Sequence, residues 1–264
     1  MDKTTWLGII IGIIAIGVGM FLKGVSFMVL INPAAILIIF LGTASSVLVA
    51  FPMSEVKRAP KIIGILFKEK QSVAYEEIMT TFVELSQHSR KEGLLAIEDK
   101  LDEIEDPFLK SGLLLAIDGQ NTDYVRDILI EEIEEMEDRH QLGAAIFTQA
   151  GTYAPTLGVL GAVVGLIAAL GNIEDTNGLG LAISAAFVAT LMGIFTGYML
   201  WHPFANKLKR KSKQEAKVKY MMVEGIISIV EGESPLIIQQ KLSAFLTAQE
   251  RKRYSEKEEV SNRE

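Results

Sequence analysis

The side chains that could handle an ion within the apolar stretches of this 264-residue chain are hydroxyl groups. Proton relays and ion pathways in membranes normally contain a titratable side chain, and none lies deep in these stretches. A second polypeptide would therefore have to supply a carboxylate for ion transport, whereas a purely structural membrane scaffold would need none. The hydroxyl residues are Thr43, Ser45, Ser46, Thr156, Ser184, Thr190 and Thr196.

These hydroxyls have two interpretations. In the first, each hydroxyl donates a hydrogen bond to the carbonyl four residues earlier in its own helix. In the second, Thr156 and Thr190 face a water-filled interface between helices. Two prolines, Pro155 and Pro203, bracket the same part of the chain. A proline frees a carbonyl four residues back and bends its helix. Such bends can simply shape the exit from the membrane, or they can let helices tilt when a nearby charge carrier changes its protonation.

Four apolar stretches must position these groups. The chain is 49% hydrophobic with a mean hydropathy of +0.30, yet 22% of its residues are charged, because the charges are segregated. About 20 apolar residues cross a bilayer as a helix. The sequence therefore predicts four spans, at about 4–22, 27–51, 153–171 and 179–204.

The spans divide the chain into a transmembrane hairpin at 1–51, a block at 52–150, a second hairpin at 151–204 and a tail at 205–264. Apolar residues of the block recur at helical spacing, as at Ile78, Phe82 and Leu85. We therefore predict an all-α membrane protein, with a helical cytoplasmic domain between spans two and three and a cytoplasmic C-terminal helix. The last residues, from Arg251 onward, are expected to be disordered.

The distribution of basic residues predicts the orientation of the spans. Clusters of Lys and Arg follow spans two and four, while the two short connectors hold few charges. The positive-inside rule then places both termini in the cytoplasm, in a multi-pass protein of the inner membrane. The 52–150 block and its flanking Phe51 hold 11 basic and 21 acidic residues, which argues against nucleic acid as a partner.

Small residues recur every fourth position in the second hairpin. Span four has Ala185, Ala189, Gly193 and Gly197, and span three has Gly161, Gly165 and Ala169 at the same spacing. Such stripes let helix backbones approach closely within lipid. The pattern predicts a tightly packed bundle that can also self-associate.

Four ordered motifs resemble the MotA family of flagellar stator proteins, within the MotA/TolQ/ExbB superfamily. They are "KGVSFMVLINPAAILIIFLGT", "SRKEGLLAIE", "GTYAPTLGVLGAVVGLIAAL" and "AFVATLMGIFTGYMLWHPFANKLKRKSK". The likeness covers essentially residues 1–250. The related ExbB and TolQ subunits share only the second hairpin and have a single span before their cytoplasmic region.

The resemblance implies a ring of about five chains around a MotB dimer, which supplies a transmembrane aspartate. The ring would step around MotB and push the rotor protein FliG. Arg90 and Glu98 match the family's rotor-contacting positions, and Pro155 and Pro203 match its two functional prolines.

The transported ion follows from one position of the same resemblance. Sodium-driven relatives have threonine after the second glycine of the span-three motif, where this chain has Ala162, as in proton-driven members. Thr190 is retained, but one hydroxyl is a poor replacement for the several oxygens that a bare cation needs. We expect protons, with a sodium-driven stator or an ExbB-like energy transducer as the alternatives. No cofactor or enzymatic activity is expected, since the sequence has no evident catalytic or metal-binding cluster.

Overall fold

Helices form almost the whole protein in the computed structural model, which describes residues 3–68, 75–171 and 176–261. No β-strand occurs within these ranges. The helices are α1 Lys3–Leu22, α2 Pro33–Ile36, α3 Gly42–Ala50, α4 Met53–Val56, α5 Ala59–Phe67, α6 Tyr75–Glu92, α7 Pro107–Ile117, α8 Thr122–Leu170, α9 Thr176–Phe195, α10 His202–Val230, α11 Pro235–Ser243 and α12 Ala248–Ser261, with 3₁₀ segments at Phe27–Leu30 and Leu94–Glu103.

Four of the described helical stretches are long and apolar enough to cross a membrane, as predicted. Between 17% and 22% of the most apolar 18-residue window of each is buried within the chain. Most of their apolar surface must therefore face lipid or other subunits, which is how a membrane protein rather than a water-soluble core is built.

Span two begins later than the predicted residue 27. The Asn32 side chain accepts a hydrogen bond from the backbone N–H of Ala35 at 3.2 Å, and Pro33 takes the first helical position. These are strong helix-start signals. Residues Phe27–Leu30 instead form a 3₁₀ turn, begun by the Ser26 side chain.

Two π-helical segments interrupt the spans. One lies at Leu37–Leu41 between α2 and α3, and the other at Thr196–Trp201 between α9 and α10. A π segment inserts one residue into the helical register and frequently occurs at functional sites. Both segments lie in the membrane unit described next.

The chain divides into two compact units. The membrane unit comprises Met1–Glu69 and Arg139–Arg210, and the extramembrane unit comprises Lys70–Asp138 and Lys211–Glu264. The extramembrane unit has one continuous apolar core, in which α6, α7, α8, α10 and α11 bury their apolar faces. Within it the Phe82 ring packs directly on Gly225, where a methyl group would lie 2.6 Å from the ring. This contact fixes α6 against α10.

The prediction of disorder from Arg251 onward is wrong for the residues that the structure describes, because they form the C-terminal helix α12, Ala248–Ser261. Its start is a capping box: the Thr247 backbone N–H donates to the Glu250 carboxylate at 2.7 Å, and the Glu250 N–H donates to the Thr247 hydroxyl at 3.3 Å. Reciprocal bonds of this type satisfy two otherwise free N–H groups. The polar composition alone did not reveal them.

Lys241 joins α11 to the end of α10. Its ammonium group lies 2.9 Å from Glu233 and 3.3 Å from Glu224, and Arg126 lies 3.6 Å from Glu224. The bond to Glu233 raises the pKa of Lys241. Burial has the largest single effect and would raise the pKa of Glu233, but the hydrogen bonds from Lys241 and Ser228 and the charge of Lys241 together outweigh it, so the pKa is lowered.

These shifts give the network a defined pH window. The lowered pKa of Glu233 contributes stability above the ordinary glutamate pKa of about 4.3, and that contribution is lost as the pH falls through the folded-state pKa. The raised pKa of Lys241 contributes stability below about 10.4, which is lost as the pH rises through its folded-state pKa.

We expect Lys241→Met to lower the free energy of unfolding of the full-length protein by roughly 1–2 kcal/mol near neutral pH, between the values for exposed and buried ion pairs. The deficit should shrink in acid as the carboxylates protonate. Thermal unfolding in detergent at several pH values measures it. Lys110→Met is the control, because its partner Asp102 at 3.2 Å is fully exposed. Equal losses in the two variants would contradict this account.

Candidate functional site

Pro155 lies inside the continuous helix α8 and contacts the π segment that follows α9. Proline cannot bond the carbonyl four residues earlier, which here belongs to Gly151. Gly197 covers that carbonyl: a methyl group at Gly197 would lie 2.7 Å from the Gly151 oxygen and 2.7 Å from Pro155 Cγ. Only a residue without a side chain fits against this point of the helix.

The same two helices approach backbone to backbone one turn farther along. A methyl group at Gly193 would lie 2.7 Å from the Ala154 carbonyl oxygen and 2.9 Å from the Gly158 Cα. The stripe predicted on span four is therefore used in the contact. On α8 the backbone contact is made by Gly158, which the predicted stripe did not include. Of that stripe, Gly161 lies beside Ala189, where a methyl group would be 3.7 Å from the Ala189 Cβ, and a methyl group at Gly165 would meet nothing within 4 Å.

His202 packs against the other side of this junction. A methyl group at Gly151 would lie 2.8 Å from the His202 ring, whose centroid is 5.3 Å from that of Tyr198. The His202 backbone N–H donates to the Gly197 carbonyl, a π-type bond spanning five residues. Pro203 follows directly and is exposed. Pro155 is thus packed within the chain, whereas Pro203 presents its ring to the surroundings.

The hydroxyls of the second hairpin bond their own helices. The Thr190 hydroxyl donates to the Ala186 carbonyl at 3.2 Å, and the Thr156 hydroxyl donates to the Thr152 carbonyl at 2.8 Å. Thr190 and Ala162 are both half-buried. The acceptor lone pairs of these hydroxyls remain available, but their protons are directed to the backbone.

Thr43 in α3 behaves differently. Its side chain is only 5% exposed, and its hydroxyl oxygen has no hydrogen-bond partner among the described residues. Its neighbours one turn away on the same face, Ile39 and Val47, both pack into the interior of the membrane unit. Within the described ranges, no group of three or more His, Asp or Glu side chains is placed to hold a metal ion.

Arg90 and Glu98 lie in the extramembrane unit, on two consecutive segments. Arg90 is in the last turn of α6 and Glu98 is in the 3₁₀ segment Leu94–Glu103, and both are exposed. Gly93 makes the turn between them at φ 92°, a backbone conformation that favours glycine. Neither charged side chain has an ion-pair partner in the part of the chain that the structure describes.

Two polar residues hold this turn in place, although the sequence did not single them out as functional. A His88 ring nitrogen lies 3.1 Å from the Ala96 carbonyl oxygen, which ties α6 to the 3₁₀ segment. The buried Ser86 hydroxyl donates to the Glu233 carbonyl at 3.1 Å. Ser86 follows Phe82 at helical spacing, so its burial was visible in the pattern, whereas nothing in the sequence indicated the contact of His88.

These features define a four-span helical membrane protein whose spans contain no charged side chain away from their ends. Two family models match: one described as the MotA/TolQ/ExbB proton channel family over residues 100–221, and one described as motility protein A N-terminal over residues 6–93. Motility protein A of Bacillus subtilis strain 168 is 59% identical over 264 residues, covering 100% of this chain and 98% of that protein.

More distant relatives and solved structures agree. Chemotaxis protein PomA of Vibrio alginolyticus is 34% identical over 93% of this chain and 96% of its own length. A chain of the flagellar MotAB stator complex from Bacillus subtilis matches with a TM-score of 0.91 at 59% identity, covering 96% of this chain and 99% of that one. C. jejuni MotAB matches with a TM-score of 0.89 at 31% identity, covering 94% and 97%. The chain belongs to the MotA/TolQ/ExbB proton channel family, among its motility protein A members.

We expect Gly193→Ala to separate α8 from α9, because the added methyl group meets backbone atoms that no rotamer change can move. Overpacking of this kind costs about 1–3 kcal/mol. The thermal unfolding midpoint of the detergent-solubilised protein should fall, and motility of a complemented deletion strain should weaken. Gly19→Ala is the matched control, since a methyl group there meets nothing within 4 Å. An unchanged midpoint for Gly193→Ala would show that the helices are not in contact here.

Proposed function

We propose that this chain is a stator subunit of the bacterial flagellar motor, which with MotB forms a torque-generating complex that acts on the rotor protein FliG. The observation that carries the proposal is the match, over 96% of this chain, to a chain of a flagellar MotAB stator complex. The presence of two spans before the extramembrane block favours this reading over an ExbB-like energy transducer, as does the motility protein A match over residues 6–93.

In this proposal MotB supplies the charge that the spans lack. A ring of about five copies would surround a MotB dimer, whose transmembrane aspartate gains and loses the ion. The exposed apolar faces of the spans would bury one another in the ring or face lipid. Pro155, its covering residue Gly197 and the exposed Pro203 would let α8 and α9 adjust when that aspartate changes charge.

We propose that the protein lies in the cell (inner) membrane, with both termini and the 52–150 block in the cytoplasm. This orientation rests on the Lys and Arg clusters that follow spans two and four. The extramembrane unit then faces the rotor side. Arg90 and Glu98 would contact FliG there, because both are exposed and no described residue neutralises either. Exposed ion pairs contribute only about 0–1 kcal/mol each, which suits a contact that forms and releases repeatedly.

The rotor contact is tested by charge reversal. Arg90→Glu and Glu98→Lys should each reduce swarming of a complemented deletion strain by more than half, and the double variant should restore little, since each charge would face the rotor. Protein levels in the membrane should stay normal because both side chains are exposed. Asp118→Lys, which reverses another exposed charge of the same unit, should swarm normally. Normal swarming of the Arg90→Glu and Glu98→Lys variants would contradict the proposed action on the rotor.

We further propose that the driving ion is the proton, on the basis of Ala162 and of the single hydroxyl of Thr190, whose proton is donated to the Ala186 carbonyl of its own helix. The available energy is about 2.3 kcal/mol per elementary charge per 100 mV, plus any pH gradient. Swimming speed at fixed pH should not depend on sodium concentration and should collapse with a protonophore. A speed that rises with sodium and survives the protonophore would instead identify a sodium-driven stator.

A further inference from the structure

We propose that Leu95 is an apolar anchor of the rotor-contacting surface and inserts into an apolar recess of the rotor protein, between the charged groups that meet Arg90 and Glu98. This inference rests on the proposed function and adds to it a residue of a different chemistry. The surface so far consists only of charges.

The local fold directs Leu95 outward. It lies in the 3₁₀ segment Leu94–Glu103, where Ile97 and Leu101 are buried and already attach the segment to the core. Leu95 is 70% exposed. Side chains three residues apart align in a 3₁₀ helix, so Leu95 and Glu98 share one edge of the segment.

The segment is also fixed from inside. The contact of His88 with the Ala96 carbonyl at 3.1 Å and the glycine turn at Gly93 hold the backbone on either side of Leu95. A side chain presented from a fixed backbone loses little conformational freedom when it binds, which favours contact with a partner.

The surroundings of Leu95 in the sequence have the composition of a binding site with a central apolar group. The exposed charged residues around it are Arg90, Lys91, Glu92, Glu98 and Asp99. Exposed ion pairs contribute little, because water and salt screen them. Most binding energy in interfaces comes from a few central desolvated groups that a polar rim shields from water. Leu95 lies between these charged residues along the chain, so it would be the apolar group of such a site, and the mixed charges would set the register with the rotor.

The test uses the intact stator complex in cells, with torque per stator unit and the residence time of units at the motor as readouts. Leu95→Ala should shorten the residence time about tenfold, the usual scale for loss of an anchor side chain, and lower the torque per unit. Leu95→Met, which keeps an apolar side chain of similar size, should restore both. Membrane levels should be normal in every variant, because an exposed side chain contributes little to folding.

Leu236→Ala is the matched control, since Leu236 of α11 is 63% exposed in the same unit. The inference is overturned if Leu95→Ala matches the wild type, or if Leu95→Ala and Leu236→Ala are equally impaired. Failure of the proposed function looks different: Arg90→Glu and Glu98→Lys would then swarm normally. If the charge-reversal variants fail to swarm while Leu95→Ala keeps wild-type residence time and torque, the role of Leu95 is contradicted and the proposed rotor contact of Arg90 and Glu98 stands.

Discussion

The membrane unit depends on close backbone packing of α8 against α9 and the π segment that follows it, at the point where Pro155 leaves the Gly151 carbonyl without its helical hydrogen bond. Gly197 lies over the Gly151 carbonyl that the proline leaves free, and Gly193 brings the two backbones together one turn away. Close packing of this kind replaces the hydrophobic effect as the source of helix association in lipid. It also leaves no room for a charged side chain between the two helices, which agrees with the proposal that MotB supplies the ion-binding carboxylate.

The extramembrane unit follows different physics, because water surrounds it. Its core fixes α6 through Phe82 on Gly225 and through the Ser86 bond to Glu233, while Lys241 joins α11 to the end of α10. The turn after α6 is thereby held in one conformation. The exposed side chains on that turn can make weak contacts without being reordered each time, as the proposed contact with a moving rotor requires.

Hydropathy predicted the four spans, and helical spacing predicted the burial of Phe82, because both depend on residue type averaged over a stretch of chain. Features set by single contacts were missed. The start of span two at Pro33 depends on a bond from Ala35 to Asn32, and α12 depends on the capping box of Thr247 and Glu250. The stripe on α9 and its neighbour Gly161 on α8 were visible, but the backbone contact is made by Gly158, since pairing depends on the register between helices rather than on either sequence. The roles of Arg90, Glu98 and Ala162 came from family resemblance and remain proposals.

The most direct measurement concerns the division of labour between this chain and MotB. Purified protein is reconstituted in vesicles in three ways: alone, with MotB, and with MotB that has asparagine in place of its transmembrane aspartate. Proton uptake is then recorded under an imposed potential. The account predicts uptake only with the unaltered aspartate present. Uptake by this chain alone, at a rate comparable to the complete complex, would contradict it.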